Sequence, residues 1–107
     1  MGVTVVVELQ AQEDKFEALR SGVIGMVPDA LTYDGCEGVT VYENKNASTL
    51  VLLEPWASRA HHERYLAWRT DRGELAAVGD MLTSPPSIRY FDTVETGAGQ
   101  GATPRRG

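Results

Sequence analysis

Two runs of this chain, Val3-Thr-Val-Val-Val-Glu-Leu-Gln and Thr49-Leu-Val-Leu-Leu-Glu-Pro-Trp, place Val and Leu at both odd and even positions. A strand turns successive side chains to opposite faces, so both faces of any sheet built from these runs are apolar and both must be covered. A chain of 107 residues suits one domain. So short a chain buries a smaller share of its surface than a large one does. Its own helices can cover one face, and a second copy is the expected cover for the other. The pattern predicts an α+β homodimer.

The rest of the chain changes period around these two runs. Over 12–27, Phe16, Leu19, Val23 and Met26 recur at helical spacing, with Glu13, Asp14 and Glu17 near the start, where the helix dipole favours acids. Pro28-Asp29 is the expected stop, and Gly22 and Gly25 make this helix dependent on packing. Asp34-Gly35 opens a strand over 36–44, with Glu37, Val39, Val41 and Glu43 alternating against Cys36, Thr40 and Tyr42. A turn at 45–48 leads into the strand at 49–56. Ser58 is placed to cap a helix running to about residue 69. A further helical piece is expected over 72–82, on a stripe of Leu75, Val78 and Leu82, and a last strand over 87–94. The order β-α-β-β-α-(α)-β predicts a ferredoxin-like split βαβ fold, an antiparallel sheet with helices on one face. Residues 1–95 are expected to form this domain and 96–107 a Gly-rich disordered tail.

Charge and cysteine content narrow the partners. The net charge of -5, with ten scattered Lys and Arg, argues against nucleic acid and anionic membranes. The single cysteine, Cys36, permits no internal disulfide. The N-terminus opens directly into a strand, so a cytoplasmic protein is expected.

Chemistry-bearing residues concentrate in 35–69. Glu54 and Trp56 end a strand two residues apart and so share a face. The following helix carries His61, His62, Tyr65, Trp68 and Arg69. An aromatic strand end feeding an aromatic helix suits the wall of an apolar small-molecule pocket. Adjacent helical residues diverge by roughly 100°, so His61 and His62 do not chelate one ion, and no metal site is expected. His61, Tyr65 and Trp68 form one stripe, and His62, Leu66 and Arg69 another. Either imidazole is a candidate general base, with His62 favoured by its apolar neighbour Leu66. Glu54 reads as the partner of a helix Arg, with a buried base as the alternative. Arg69 reads as a surface residue, with binding of an anionic substrate oxygen at a pocket mouth as the alternative. Tyr33, Tyr42 and Tyr90 read as structural, and Cys36 as a small packing residue.

The Gly35-Cys36 start, the Val39-Thr-Val-Tyr-Glu strand, the Leu52-Leu-Glu-Pro-Trp strand end and the Ala60-His-His-Glu-Arg-Tyr helix resemble the antibiotic biosynthesis monooxygenase family. The resemblance spans roughly residues 3–95 and implies a dimeric α+β barrel with a small pocket between sheet and helices. It implies an oxygenase without a cofactor, acting on a quinol, anthrone or polyketide-type aromatic together with dioxygen. His62 and His61 are the catalytic candidates, and Trp56, Tyr65, Trp68, Arg69, Leu52 and Glu54 the substrate-binding ones. In the anthrone-oxidising branch an Asn four residues before the strand-end Trp polarises the substrate carbonyl. Leu52 stands at that position and cannot hydrogen-bond an oxyanion. The His that the haem-degrading branch places after its helix aromatic has no counterpart near Leu75 or Val78. The alternatives are a non-catalytic binding or assembly protein, and an isomerase or cyclase companion in a biosynthetic pathway.

Overall fold

The computed structural model describes residues 2–97. Four strands, β1 (Val3–Gln10), β2 (Thr40–Asn44), β3 (Thr49–Trp56) and β4 (Ser87–Asp92), form one antiparallel sheet in the order β2-β3-β1-β4. Among the described residues three α-helices accompany it: α1 (Phe16–Thr32), α2 (Arg59–Asp71) and α3 (Glu74–Gly79). This is the expected ferredoxin-like α+β arrangement. From residue 98 onward the expected Gly-rich tail lies outside the described residues.

The register explains how the two apolar runs are used. Val5 pairs with Glu54 and Tyr90, and Val7 with Leu52 and Ile88, so these six side chains share the face under the helices. On the opposite face Val6 lies between Leu53 and Arg89, and Thr4 between Pro55 and Phe91. Among the described residues no helix covers that face: Phe91 and Tyr42 remain 48% and 52% exposed.

Two local expectations are corrected. Helix α1 does not stop at Pro28 but runs through it to Thr32. Pro28 and Ile24 lie one turn apart on the exposed face, so the backbone bond that proline cannot donate is lost on the solvent side. Ala30, beyond the proline, is buried in the core and rewards continuation. The second strand is also shorter than 36–44. Cys36 makes an isolated bridge to Trp56, while the ladder resumes at Thr40 opposite Leu53. Four steps on one strand thus face three on the other, and the extra residue forms a bulge over 37–39. The bulge reverses the alternation, so both Cys36 and Val41 pack against the core rather than on opposite faces.

Candidate functional site

A cavity of about 120 Å³ lies between the sheet and the helices. Its floor is Val7, Leu52, Glu54 and Ile88 from the sheet, and its roof includes Met26, Val27 and Ala30 of α1. Tyr65 and Leu66 of α2 and Leu75 and Val78 of α3 close the side. In this almost wholly apolar lining the ionisable groups are Glu54, His62 and Tyr65, all buried.

Ser58 places His62. It caps α2 as expected, its hydroxyl accepting from the His61 backbone N–H at 3.2 Å, which sets the helix phase. His61 then turns outward, its Nδ1 2.7 Å from the Ser58 hydroxyl and its Nε2 3.7 Å from Asp34. Gly35, at φ +91°, has no room for a Cβ, which would meet the His61 ring. The cavity lining includes His62 and not His61. The buried stripe of α2 is His62, Tyr65 and Arg69, so Tyr65 goes with His62 rather than with His61 as the sequence stripes suggested. An i, i+3 neighbour shares a helix face as readily as an i, i+4 one.

Glu54 Oε1 accepts from Trp56 Nε1 at 3.0 Å. The expected bond to a helix Arg is absent. Trp56, fully buried, does not line the cavity but holds the carboxylate that does. Burial pushes the Glu54 pKa up against the Trp56 hydrogen bond and the field of Arg69. His62 Nδ1 lies 2.8 Å from the Tyr90 hydroxyl, and its Nε2 lies 3.7 Å from Glu54 Oε1. Burial lowers the His62 pKa to about 4. The close approach to Glu54 is therefore not an ion pair near neutral pH, because the imidazole is uncharged. At 3.7 Å it is no hydrogen bond either. His62 Nε2 and Glu54 Oε2 thus have no hydrogen-bond partner among the described residues, and both side chains line the cavity. Unpaired polar atoms inside a protein are rare and call for a ligand or water.

Arg69 corrects the surface reading. It is fully buried, donating from Nε to the Tyr65 hydroxyl at 2.8 Å, from Nη1 to both Glu74 oxygens at 2.9 Å, and from Nη2 to the Met26 carbonyl at 2.7 Å. It joins α1, α2 and α3 and has no free donor nitrogen for a substrate. Trp68 stacks beside Tyr33 and under Arg69 and Arg72, outside the cavity. Of the expected binding residues, Leu52, Glu54 and Tyr65 line the cavity, and Trp56, Trp68 and Arg69 do not. Tyr90, read as structural from sequence, touches His62 instead. It faces inward because it pairs with Val5 across the sheet, a register that the local sequence of β4 does not give. Among the described residues no three His, Cys, Asp or Glu side chains gather to hold a metal ion, and no helix is long and apolar enough to cross a membrane.

Sheet order, helices on one face and a cavity beneath them define a ferredoxin-like α+β domain. The antibiotic biosynthesis monooxygenase family matches residues 2–70, and the chain belongs to that family. A relative from Mycobacterium tuberculosis, Rv0793, which carries a provisional monooxygenase name, is 28% identical over 86 residues, covering 80% of this chain and 85% of its own. The solved structure of Rv0793 superposes with a TM-score of 0.79 at 24% identity, covering 92% of this chain and all of the other. A conserved protein from Methanosarcina mazei Go1 superposes at 0.75 with 18% identity, covering 85% of this chain and 91% of that one. These likenesses in structure establish the fold.

Proposed function

We propose that the protein is a cofactor-independent monooxygenase acting on a small hydroquinone-type aromatic. The observation that carries this reading is the Glu54–His62 pair, two side chains that line an apolar cavity and each keep one polar atom without a partner among the described residues. An engineered cavity of roughly 150 Å³ takes up benzene, so about 120 Å³ matches one ring better than the three of an anthrone. Leu52 in the floor agrees, since it offers no donor to an anthrone carbonyl.

Glu54 is the better base of the two. Its raised pKa brings it toward the working range, whereas His62, lowered to about 4, is a weak base. Glu54 takes the proton of a ring hydroxyl, and the electron-rich phenolate gives electrons to dioxygen. One oxygen atom forms a bond to a ring carbon and the other leaves as water. A hydroquinone plus dioxygen thereby becomes a hydroxyquinone plus water, the ring losing four electrons and needing no other reductant. The walls around the developing charge are apolar apart from Glu54, His62 and Tyr65, so His62 is the neighbouring group that can answer it.

The working unit of this reading is a homodimer. Val6, Val51 and Leu53, with exposed Phe91 and Tyr42, make the uncovered sheet face an apolar seat for a second copy. A cytoplasmic setting accords with the lone, unpaired Cys36. Sedimentation at micromolar concentration tests the dimer, and a monomer would remove it.

Dioxygen uptake tests the reaction, using single-ring hydroquinones, a naphthohydroquinone and an anthrone with wild type and Glu54→Gln. We expect turnover on the smallest substrates and its loss in the variant. No uptake above background on any of them would overturn the oxygenase reading. Equal product under nitrogen would assign isomerase-type chemistry instead.

A further inference from the structure

Nothing in the proposed reaction so far uses Tyr90, yet its hydroxyl is 2.8 Å from His62 Nδ1. A neutral imidazole carries one proton, and the partner of one nitrogen decides which nitrogen holds it. Four charged or titratable groups bear on this choice. Glu54 comes from β3 and lies 3.7 Å from Nε2. Tyr90 comes from β4 and meets Nδ1. Arg59, at the start of α2, sits 4.3 Å above the Tyr90 ring. Glu63, also on α2, acts on His62 only through its field.

A carboxylate beside Nε2 repels a bare nitrogen lone pair and favours a proton there. A phenol can either donate or accept, but if Nε2 holds the only proton, Nδ1 is an acceptor and Tyr90 must donate. Burial and the fields of Glu63 and Glu54 outweigh the opposing pull of Arg59 and raise the Tyr90 pKa, so the phenol keeps the proton that it offers to Nδ1. Both ends of the imidazole therefore favour the same tautomer. We propose that Tyr90 is a positioning residue that holds His62 with its proton on Nε2, so that His62 presents a hydrogen-bond donor to the cavity while Glu54 presents the acceptor. This rests on the proposed reaction for its purpose but not for its geometry. A substrate hydroxyl gives its proton to Glu54, and the oxyanion left behind receives the Nε2–H.

The tautomer is readable without substrate. Nitrogen–carbon-proton correlation spectra of the full chain labelled with 15N-histidine report which ring nitrogen of His62 is protonated. We expect Nε2–H in wild type and a mixture in Tyr90→Phe. A proton on Nδ1 in wild type, or an unchanged Nε2–H pattern in Tyr90→Phe, would overturn the proposal. Should that variant not fold, replacing tyrosine by 3-fluorotyrosine strengthens the phenol donor and must move the His62 Nδ1 resonance. No movement is equally fatal. In turnover, Tyr90→Phe is expected to lower kcat about tenfold to a hundredfold, the size seen for residues that orient a metal-bound imidazole, with KM little changed. The expected tautomer in a protein that consumes no dioxygen would sustain the Tyr90 assignment while overturning the reaction.

Discussion

Two buried polar side chains, His62 and Arg69, sit on one face of α2, two helical turns apart. At Arg69 each guanidinium nitrogen is hydrogen-bonded, to Tyr65, Glu74 and Met26, and two aromatic rings flank it. At His62 one ring nitrogen is bonded to Tyr90 and the other faces the cavity beside a carboxylate. A satisfied charge locks helices together, whereas an unsatisfied neutral group waits for a ligand. The same helix face thus carries a structural end and a chemical end.

Arg69→Met gives the strongest test of that division. Removing Arg69 leaves the Tyr65 hydroxyl and the Met26 carbonyl without their donor, at about 1–3 kcal/mol each, read from urea unfolding. A loss well under 1 kcal/mol would mean that Arg69 is not the structural end.

Acid should act at the other end. Between pH 6.5 and about 4 the unfolded chain takes up a proton on His62 that the folded chain refuses. Stability present at neutral pH is therefore lost as pH falls through that window, by about 3 kcal/mol at full extent. Glu54, raised by burial, works in the opposite sense, because its protonation on acidification relieves a buried charge. Unfolding midpoints of wild type and His62→Gln from pH 7 to pH 4.5 should converge as pH falls. Parallel curves would mean that His62 titrates normally.

Glu54→Gln sharpens the contrast from the catalytic side. Loss of a general base lowers turnover by at least about a hundredfold, or about 2.7 kcal/mol in the barrier. Folding stability should hold or rise, since a buried acid is removed. A large loss of stability would place Glu54 with Arg69 among the structural residues.

The smallest effect belongs to the cap. Ser58→Ala should cost about 1 kcal/mol in thermal or urea unfolding. It should also free the His61 ring, detected by its imidazole resonances, while leaving His62 in place.

Much of the fold was legible because it rests on local periodicity. The β-branched run of β1, the Leu-rich run of β3 and the Ser58 cap are each visible within a few residues. What escaped depends on distant partners. A lone Arg late in a helix ordinarily reaches for solvent; Arg69 is buried because Met26, 43 residues away, offers a carbonyl. Tyr90 meets His62 across 28 residues, and nothing beside it in sequence announces that. Pro28 reads as a stop until its outward orientation is known. The candidate site was half legible: Glu54 and His62 lie in the stretch that stood out, but Trp56 was taken for a wall when it holds the carboxylate.

The bulge over 37–39 has a consequence for how this chain tolerates length changes. It acts as a phase shifter between the Gly35-Cys36 corner and the rest of β2. Deleting one residue there would restore unbroken alternation and carry either Cys36 or Val41 to the wrong side of the sheet. The corner that hosts the His61 ring would swing with it. Even a compensating insertion in the 45–48 turn, on the far side of β2, would leave that error in place. In this segment the parity of the residue count matters more than the identity of the residues counted.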